Sequence, residues 1–104
     1  MVIYEVNLDI DEDIYAEYEI WLKDHIQKML QFPGFIQATL LKEERGEGSA
    51  QEKLTVQYQL ENRAALDRYF TEYAPQMRGD GLKLFQNKFN AERRVFNAQE
   101  TFLK

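Results

Sequence analysis

The sequence predicts one α+β domain in which helices cover a single face of an antiparallel sheet. Four segments alternate apolar and polar residues with a period of two, which is typical of strands. Between them, apolar residues recur at steps of three and four, which places them on one face of a helix. The order is strand, helix, strand, strand, helix, strand, and 104 residues leave room for one domain, residues 1–104.

The N-terminal part predicts a strand followed by a long helix. Residues 2–8 alternate and form the first strand. Asp11, Glu12 and Asp13 then supply an N-cap and an acidic first turn, because carboxylates complement the positive end of a helix. We expect the helix to end near Gln31, just before the Pro-Gly pair. Its apolar stripe consists of Ile14, Tyr18, Trp21, Leu22, His25 and Met29.

The middle of the chain predicts a β-hairpin. Residues 35–41 and 54–60 both alternate, and the polar residues 43–51 between them form a flexible connection. Two strands joined so closely run antiparallel.

The C-terminal part predicts a second helix and a last strand. Asn62 is the expected N-cap, and Pro75 breaks or restarts the helix. The glycines of residues 78–81 indicate a turn, with a short helical turn after it. The strand begins at Lys88, and a change in its apolar parity predicts a bulge near Val95. The second helix carries its apolar stripe on Leu66, Tyr69, Phe70 and Tyr73.

The sheet face away from the helices is poor in charge. A face in contact with water would carry mostly charged residues. We therefore expect two such faces to pack across a two-fold axis, which gives a homodimer. The alternative is an ordinary hydrated face that has few charges. The residues assigned to it are Ile3, Asn7, Phe35, Gln37, Thr39, Leu41, Thr55, Gln57 and Gln59.

Several motifs resemble those of known proteins. The runs IYEVNLDID, WLKDHI and YAPQMRGDGLKLF, with the KF that follows, look like a small bacterial family known only as a domain of unknown function. The order of elements resembles the ferredoxin-like dimeric α/β-barrel superfamily, which includes antibiotic-biosynthesis monooxygenases. The resemblance spans nearly the whole chain. It implies a ferredoxin-like βαββαβ fold, a dimeric α/β barrel, and a pocket between helices and sheet.

Composition and charge exclude several classes of function. The chain has 18 acidic and 13 basic residues, so it repels nucleic acid. It has no cysteine, which excludes disulfides and thiolate ligands. The first ten residues lack the features of a signal peptide, and no apolar run is long enough for a membrane span. We expect a cytoplasmic protein that binds neither membranes nor nucleic acid.

Neither a metal nor a cofactor is expected. Asp9, Asp11 and Asp13 have the spacing of an EF-hand calcium loop. However, Ile14 stands where that loop requires glycine, and Ile20 stands where it requires glutamate.

The candidate binding residues surround the single histidine. His25 titrates near neutrality and could exchange a proton with a small molecule, with Trp21, Tyr4 and Tyr58 as the walls of the pocket. The alternative is a structural histidine satisfied by a backbone carbonyl. Arg93 could anchor an anion in the same pocket. Alternatively, it could pair with a carboxylate, or extend its charged end to solvent at the predicted bulge.

Three functions remain open at this point. The first is a homodimeric barrel protein that binds a small apolar or aromatic ligand between helices and sheet. The second is a cofactor-independent monooxygenase or isomerase with His25 or a nearby tyrosine as the acid-base group. The third is a non-catalytic module that binds a partner through its acidic surface. A cavity lined by Trp21, His25 and Tyr58 would favour the first two. No residue aligns with a catalytic position of the superfamily, so none is assigned as catalytic.

Overall fold

The computed structural model describes residues 1–44 and 50–104. The strands of this part of the chain form one antiparallel sheet in the order β2-β3-β1-β4. This confirms the predicted ferredoxin-like βαββαβ order, except that the second helix is divided in two. The elements are β1 Val2–Asp11, α1 Tyr15–Met29, β2 Phe35–Lys42, β3 Gln51–Leu60, α2 Arg63–Glu72, α3 Ala74–Phe85 and β4 Phe89–Asn97.

The core lies between the three helices and one face of the sheet. Alternate residues of β1 and β3 point toward the helices, because successive side chains of a strand face opposite sides. Each such aliphatic side chain contributes about 1.5–3 kcal/mol when fully buried. The predicted helix-covered face is therefore confirmed. The buried members on these two strands are Val2, Tyr4, Leu8, Ile10, Leu54, Val56, Tyr58 and Leu60.

The start of α1 differs from the prediction. Asp11 is the last residue of β1, and its carboxylate lies 3.4 Å from the side-chain nitrogen of Gln51 on β3. A 3-10 turn, Glu12–Ile14, follows, and the helix begins at Tyr15 without a side-chain cap. Asp13 forms an ion pair with Lys88. Asp11 is at the N-cap position of the 3-10 turn but forms no side-chain cap hydrogen bond, so the predicted cap is wrong. Glu12 and Asp13 lie in the first turn, as predicted.

The irregularity of the sheet lies in β2. Phe35 pairs with Leu60 while Gln37 pairs with Gln59, so one extra residue is inserted between the two pairs. The bulge turns Phe35 toward the helices, where its ring centroid lies 5.8 Å from that of Tyr58. The assignment of Phe35 to the uncovered face is therefore wrong.

Strand β4 is regular where a bulge was predicted. It pairs with β1 without a shift in register along its whole length. Arg93 continues the parity of Phe89 and Ala91 on the helix side, and Phe96 lies on the other face with 41% exposure. The bulge near Val95 is wrong, because this edge strand carries apolar residues on both faces.

The second helical region begins as predicted and then restarts. The side chain of Asn62 accepts a hydrogen bond of 2.9 Å from the backbone N–H of Ala65, which confirms the N-cap. Helix α2 ends at Glu72, and Pro75 lies in the first turn of α3. Proline suits this place because the first N–H groups of a helix have no intrahelical partner.

Helix α3 includes the segment that was predicted to be a turn. Gly79 and Gly81 lie inside its twelve residues, so the turn over residues 78–81 is wrong. A Cβ atom on Gly81 would lie 2.9 Å from Cη2 of Trp21, whereas one on Gly79 would meet nothing within 4 Å. Gly81 is therefore small because α1 and α3 approach closely at the Trp21 ring.

The connection predicted over residues 43–51 lies largely outside the described residues, and β3 already begins at Gln51. Among the helices that are described, none combines the length and apolarity needed to cross a membrane.

Candidate functional site

A cavity of about 260 Å³ lies between α1, α3 and the helix side of the sheet, and it is partly open to solvent. Its volume exceeds the roughly 150 Å³ of an engineered apolar cavity that holds benzene. It is slightly smaller than the range of about 300–1,000 Å³ that is typical of small-molecule sites. The aromatic members of its wall are Tyr4, Tyr18, Trp21, Tyr58, Tyr69 and Phe89.

The four predicted binding residues all line this cavity. Tyr4 and Tyr58 occupy facing positions on β1 and β3, where their rings stack with centroids 6.0 Å apart. Trp21 and His25 are four residues apart on α1, so they share one helix face. Their rings stack with centroids 4.6 Å apart and an interplanar angle of 23°. The structure thus brings the four side chains together, while their role in binding stays a prediction.

His25 is held in its neutral form. Burial lowers the pKa of the imidazole from its ordinary value of 6.5, and the carboxylate of Asp80 opposes this shift. In the part of the chain that the structure describes, the imidazole forms no hydrogen bond. The alternative of a histidine satisfied by a backbone carbonyl therefore has no support. A neutral imidazole has one donor and one acceptor nitrogen, and both are available to a ligand.

The buried tyrosines can donate hydrogen bonds but cannot act as bases. Burial raises the pKa of the phenols of Tyr18, Tyr58 and Tyr69 well above 10. Each phenol therefore stays protonated at neutral pH. Of the acid-base candidates named from the sequence, His25 fits a proton acceptor better than a buried tyrosine does.

Two arginines lie at the cavity, and the first was not predicted. Arg78 donates a hydrogen bond of 3.3 Å to the hydroxyl oxygen of Tyr4. Its guanidinium carbon lies 5.9 Å from the centroid of the Phe70 ring. Because residues 78–81 were predicted to form a turn, the sequence did not predict which way the Arg78 side chain points. A helical pattern through Ala74, Gly81 and Phe85 would have placed Arg78 on the face that packs against the core.

Arg93 projects to the helix side of β4, opposite Val6 of β1. Its charge acts on His25, Tyr18 and Tyr69, which are all cavity residues. Within the described residues it has no carboxylate within 4 Å. Of the alternatives left open by the sequence, the pairing with a carboxylate is therefore not found. Arg93 is exposed to solvent, although β4 has no bulge there.

The uncovered face of the sheet has a hydrogen-bonded centre. Glu5 is only 5% exposed there, although no helix covers it. Its carboxylate accepts hydrogen bonds from Asn7 and Gln57, each 3.0 Å long, and from Arg94, at 2.7 and 2.9 Å. Thr55 donates a bond of 2.8 Å to Asn7. The prediction that this face is poor in charge is wrong. Besides the Glu5–Arg94 pair, it carries Asp9, Lys53 and Glu92, because charged residues of β1, β3 and β4 share the same parity.

A family model described as Domain of unknown function (DUF4286) matches residues 1–99. The chain belongs to the DUF4286 family. The predicted resemblance to a family of unknown function is therefore confirmed. No curated protein matches this DUF4286 chain.

Solved structures share the fold of this DUF4286 chain at low sequence identity. A proposed antibiotic biosynthesis monooxygenase from Deinococcus radiodurans superposes with a TM-score of 0.77 at 16% identity, covering 100% of this chain and 98% of the other. SnoaB, a cofactor-independent oxygenase from Streptomyces nogalater, superposes with a TM-score of 0.69 at 18% identity, covering 99% of this chain and 98% of SnoaB. HapK from Hahella chejuensis superposes with a TM-score of 0.68 at 11% identity, covering 100% of this chain and 98% of HapK. At these identities the likeness establishes the fold alone.

The acids with EF-hand spacing are placed apart from one another. Asp9 pairs with Lys53 at 3.3 Å, and Asp13 pairs with Lys88. Over residues 1–44 and 50–104, no group of three or more metal-ligating side chains could hold an ion.

Proposed function

We propose that this DUF4286 protein is a homodimer that binds a small apolar or aromatic molecule in the cavity between its helices and sheet. The cavity is the observation that carries the proposal. Protein cores are packed as densely as organic crystals, with few voids larger than a water molecule. A ring-lined cavity of about 260 Å³ forfeits dispersion contacts unless a ligand restores them.

The uncovered face supports the homodimer. Thr55, Gln57 and Asn7 are only half-buried, and Leu41 and Phe96 are more than 40% exposed on the same side. The central carboxylate already has its hydrogen bonds within one protomer, so a second copy could cover Glu5 without leaving an unpaired charge. Exposed apolar side chains beside a satisfied polar centre suit a surface that packs against its own copy.

Native mass spectrometry of the purified protein tests both parts of the proposal. We expect the mass of a dimer at micromolar concentration, and one molecule of added 2-naphthamide, a neutral two-ring probe, bound to each protomer. A variant Ala91→Phe, which fills the cavity from β4, should lose the probe while it retains the dimer. A monomer throughout the micromolar range contradicts the dimer, and equal probe binding by Ala91→Phe contradicts the cavity as the site.

A second function is favoured by one observation, the neutral and unpartnered His25 in the cavity wall. In a cofactor-independent oxygenase, this imidazole would accept a proton from an activated CH₂ group of the ligand. The resulting carbanion would reduce O₂, so that the carbon becomes a carbonyl and the second oxygen leaves as water. Oxygen uptake with a bound substrate, compared between wild type and His25→Ala, tests this role. Unchanged turnover in the variant removes His25 from the reaction.

A further inference from the structure

We infer that the cavity binds an anionic aromatic molecule, in which a carboxylate or a similar acidic group is attached to a planar ring system. The inference rests on the proposed function, because it names the chemical class of the ligand for the same cavity. Two arginines, Arg78 and Arg93, carry it. Among the described residues that line the cavity, they are the cationic side chains with permanent charge, and none of the others is Asp or Glu.

Arg78 is held in place without a carboxylate. Its only described hydrogen bond goes to the Tyr4 hydroxyl, and the face of the Phe70 ring lies beside the guanidinium. One of its five N–H donors is used, so the others remain free for a ligand. Because Tyr4 and Phe70 restrict the side chain before binding, less conformational entropy is lost when an anion binds.

Arg93 reaches the same cavity from the opposite wall. It lies on β4, whereas Arg78 lies on α3, so a ligand between these elements can contact both guanidinium groups. Arg93 lines the cavity, and its charge is close enough to act on His25, Tyr18 and Tyr69 there. A planar guanidinium can bind both oxygens of a carboxylate at once.

The other described arginines outside the cavity all have acidic partners. Arg63 pairs with Asp67, Arg68 with Glu72, and Arg94 with Glu5. In a chain with five more negative than positive charges, arginines find carboxylates easily. The two cavity arginines are the described exceptions, and both line the same cavity. A negatively charged group on the ligand would supply the missing partner.

The aromatic side chains of the cavity wall favour a ligand that also contains a planar ring system. The stacked Trp21 and His25 rings, with Tyr18 and Phe89, provide flat apolar surfaces beside the arginines. Aromatic ligands stack on such rings with centroids about 4.5–7 Å apart. A ligand with both a ring system and an acid therefore matches the cavity better than a purely apolar one.

Isothermal titration calorimetry with two matched probes tests the inference. 2-Naphthoate and 2-naphthamide have nearly the same shape, but only the first is charged at pH 7. We expect the wild-type protein to bind 2-naphthoate about tenfold more tightly or better, since hydrogen bonds between charged groups are about twice as strong as neutral ones. The preference should fall as the salt concentration rises.

Arginine variants then locate the source of the preference. Arg78→Gln and Arg93→Gln should each weaken 2-naphthoate binding severalfold and leave 2-naphthamide within about twofold, and the double variant should lose the preference. Arg68→Gln, on α2 and paired with Glu72, is the matched control and should change neither affinity. Thermal unfolding of each variant checks that the fold is intact, and Arg78→Lys keeps the charge if Arg78→Gln does not fold.

The outcomes separate the inference from the proposal beneath it. If both probes bind equally well to the wild type, the inference is overturned and the apolar cavity site stands. The same holds if the double variant keeps the preference. If neither probe binds, the proposed function fails together with the inference. A preference that disappears only in the cavity variants supports both.

Discussion

The two faces of the sheet differ in how their charged side chains are paired. On the uncovered face, Glu5 is surrounded by donors from Asn7, Gln57 and Arg94, so the carboxylate is satisfied before any partner arrives. On the helix-covered side, Arg78 and Arg93 are exposed at the cavity, and neither has a carboxylate within 4 Å among the described residues. A completed network suits a surface that a second protein chain covers, whereas unpaired donors suit a site that a ligand completes. Both proposed roles of the domain follow from this difference.

The largest effect is expected where α3 approaches the cavity wall. A methyl group on Gly81 meets the rigid Trp21 ring at 2.9 Å, while one on Gly79 meets open space. Gly79→Ala should therefore stabilise the protein by about 0.5–1 kcal/mol through helix propensity alone. Gly81→Ala gains the same propensity but overpacks the core, so it should be less stable than Gly79→Ala by about 1–3 kcal/mol. Urea unfolding midpoints measure the difference, and equal stability of the two variants would show that α1 and α3 are not in tight contact.

A smaller effect is expected from the charge on the uncovered face. The hydrogen bonds from Asn7 and Gln57, with smaller help from Arg94, lower the pKa of Glu5 below its ordinary value of 4.5. Its contribution to stability is therefore present above pH 4.5 and is lost as the pH falls through the lower, folded-state value. Glu5→Gln should lower the free energy of unfolding by about 1–2 kcal/mol at pH 7. The glutamine replaces one acceptor oxygen by an NH₂ group, which then faces a hydrogen-bond donor and cannot accept from it.

Glu92→Gln is the matched control for this change. Glu92 lies on the same face and opposite Asn7, but it is exposed and has no described hydrogen bond or ion pair. Unfolding free energies measured from pH 7 to pH 3 should converge for wild type and Glu5→Gln, and should run in parallel for Glu92→Gln. If both variants behave alike, the Glu5 network contributes nothing beyond net charge.

The smallest effect is expected from His25 on the covered face. Burial lowers its pKa below 6.5, so the folded protein resists protonation more than the unfolded chain does. The contribution of His25 to the free energy of unfolding is therefore fully present above pH 6.5, and it decreases as the pH falls below that value. His25→Gln removes the only histidine of the chain and should flatten the stability profile between pH 7 and pH 5. A wild-type protein that becomes more stable over the same range contradicts a buried, neutral imidazole.

The sequence predicted the features that depend on local patterns. The order of elements, the apolar stripe of α1 and the cap at Asn62 are all determined by residues that are near one another in the chain. The sequence-based predictions were wrong where contacts between distant residues determine the local structure. The glycines of α3 weaken a helix in isolation, yet the contact between Gly81 and Trp21 makes a small residue necessary there.

Cross-strand pairing explains the other differences. A single strand does not reveal that Glu5 faces Gln57 on β3 and Arg94 on β4, so the network on the uncovered face could not be predicted. The bulge beside Phe35 likewise depends on the register with β3. At the site, periodicity placed Tyr4, Trp21, His25 and Tyr58 on the faces between helices and sheet, and the resemblance to the superfamily implied a pocket there. Arg78 was missed because its segment was predicted to be a turn.

The break between α2 and α3 divides the second helical region into two separate helices. The N–H of Tyr73 bonds to Tyr69 at the end of α2, and its carbonyl accepts the bond that starts α3. Each helix therefore has its own buried residues, Leu66 and Tyr69 on α2, and Ala74, Met77, Gly81 and Phe85 on α3. Arg78 and Gly81, which affect the charge and the width of the cavity, both lie on α3. Members of the family could therefore acquire different ligand preferences through substitutions in this one segment of twelve residues.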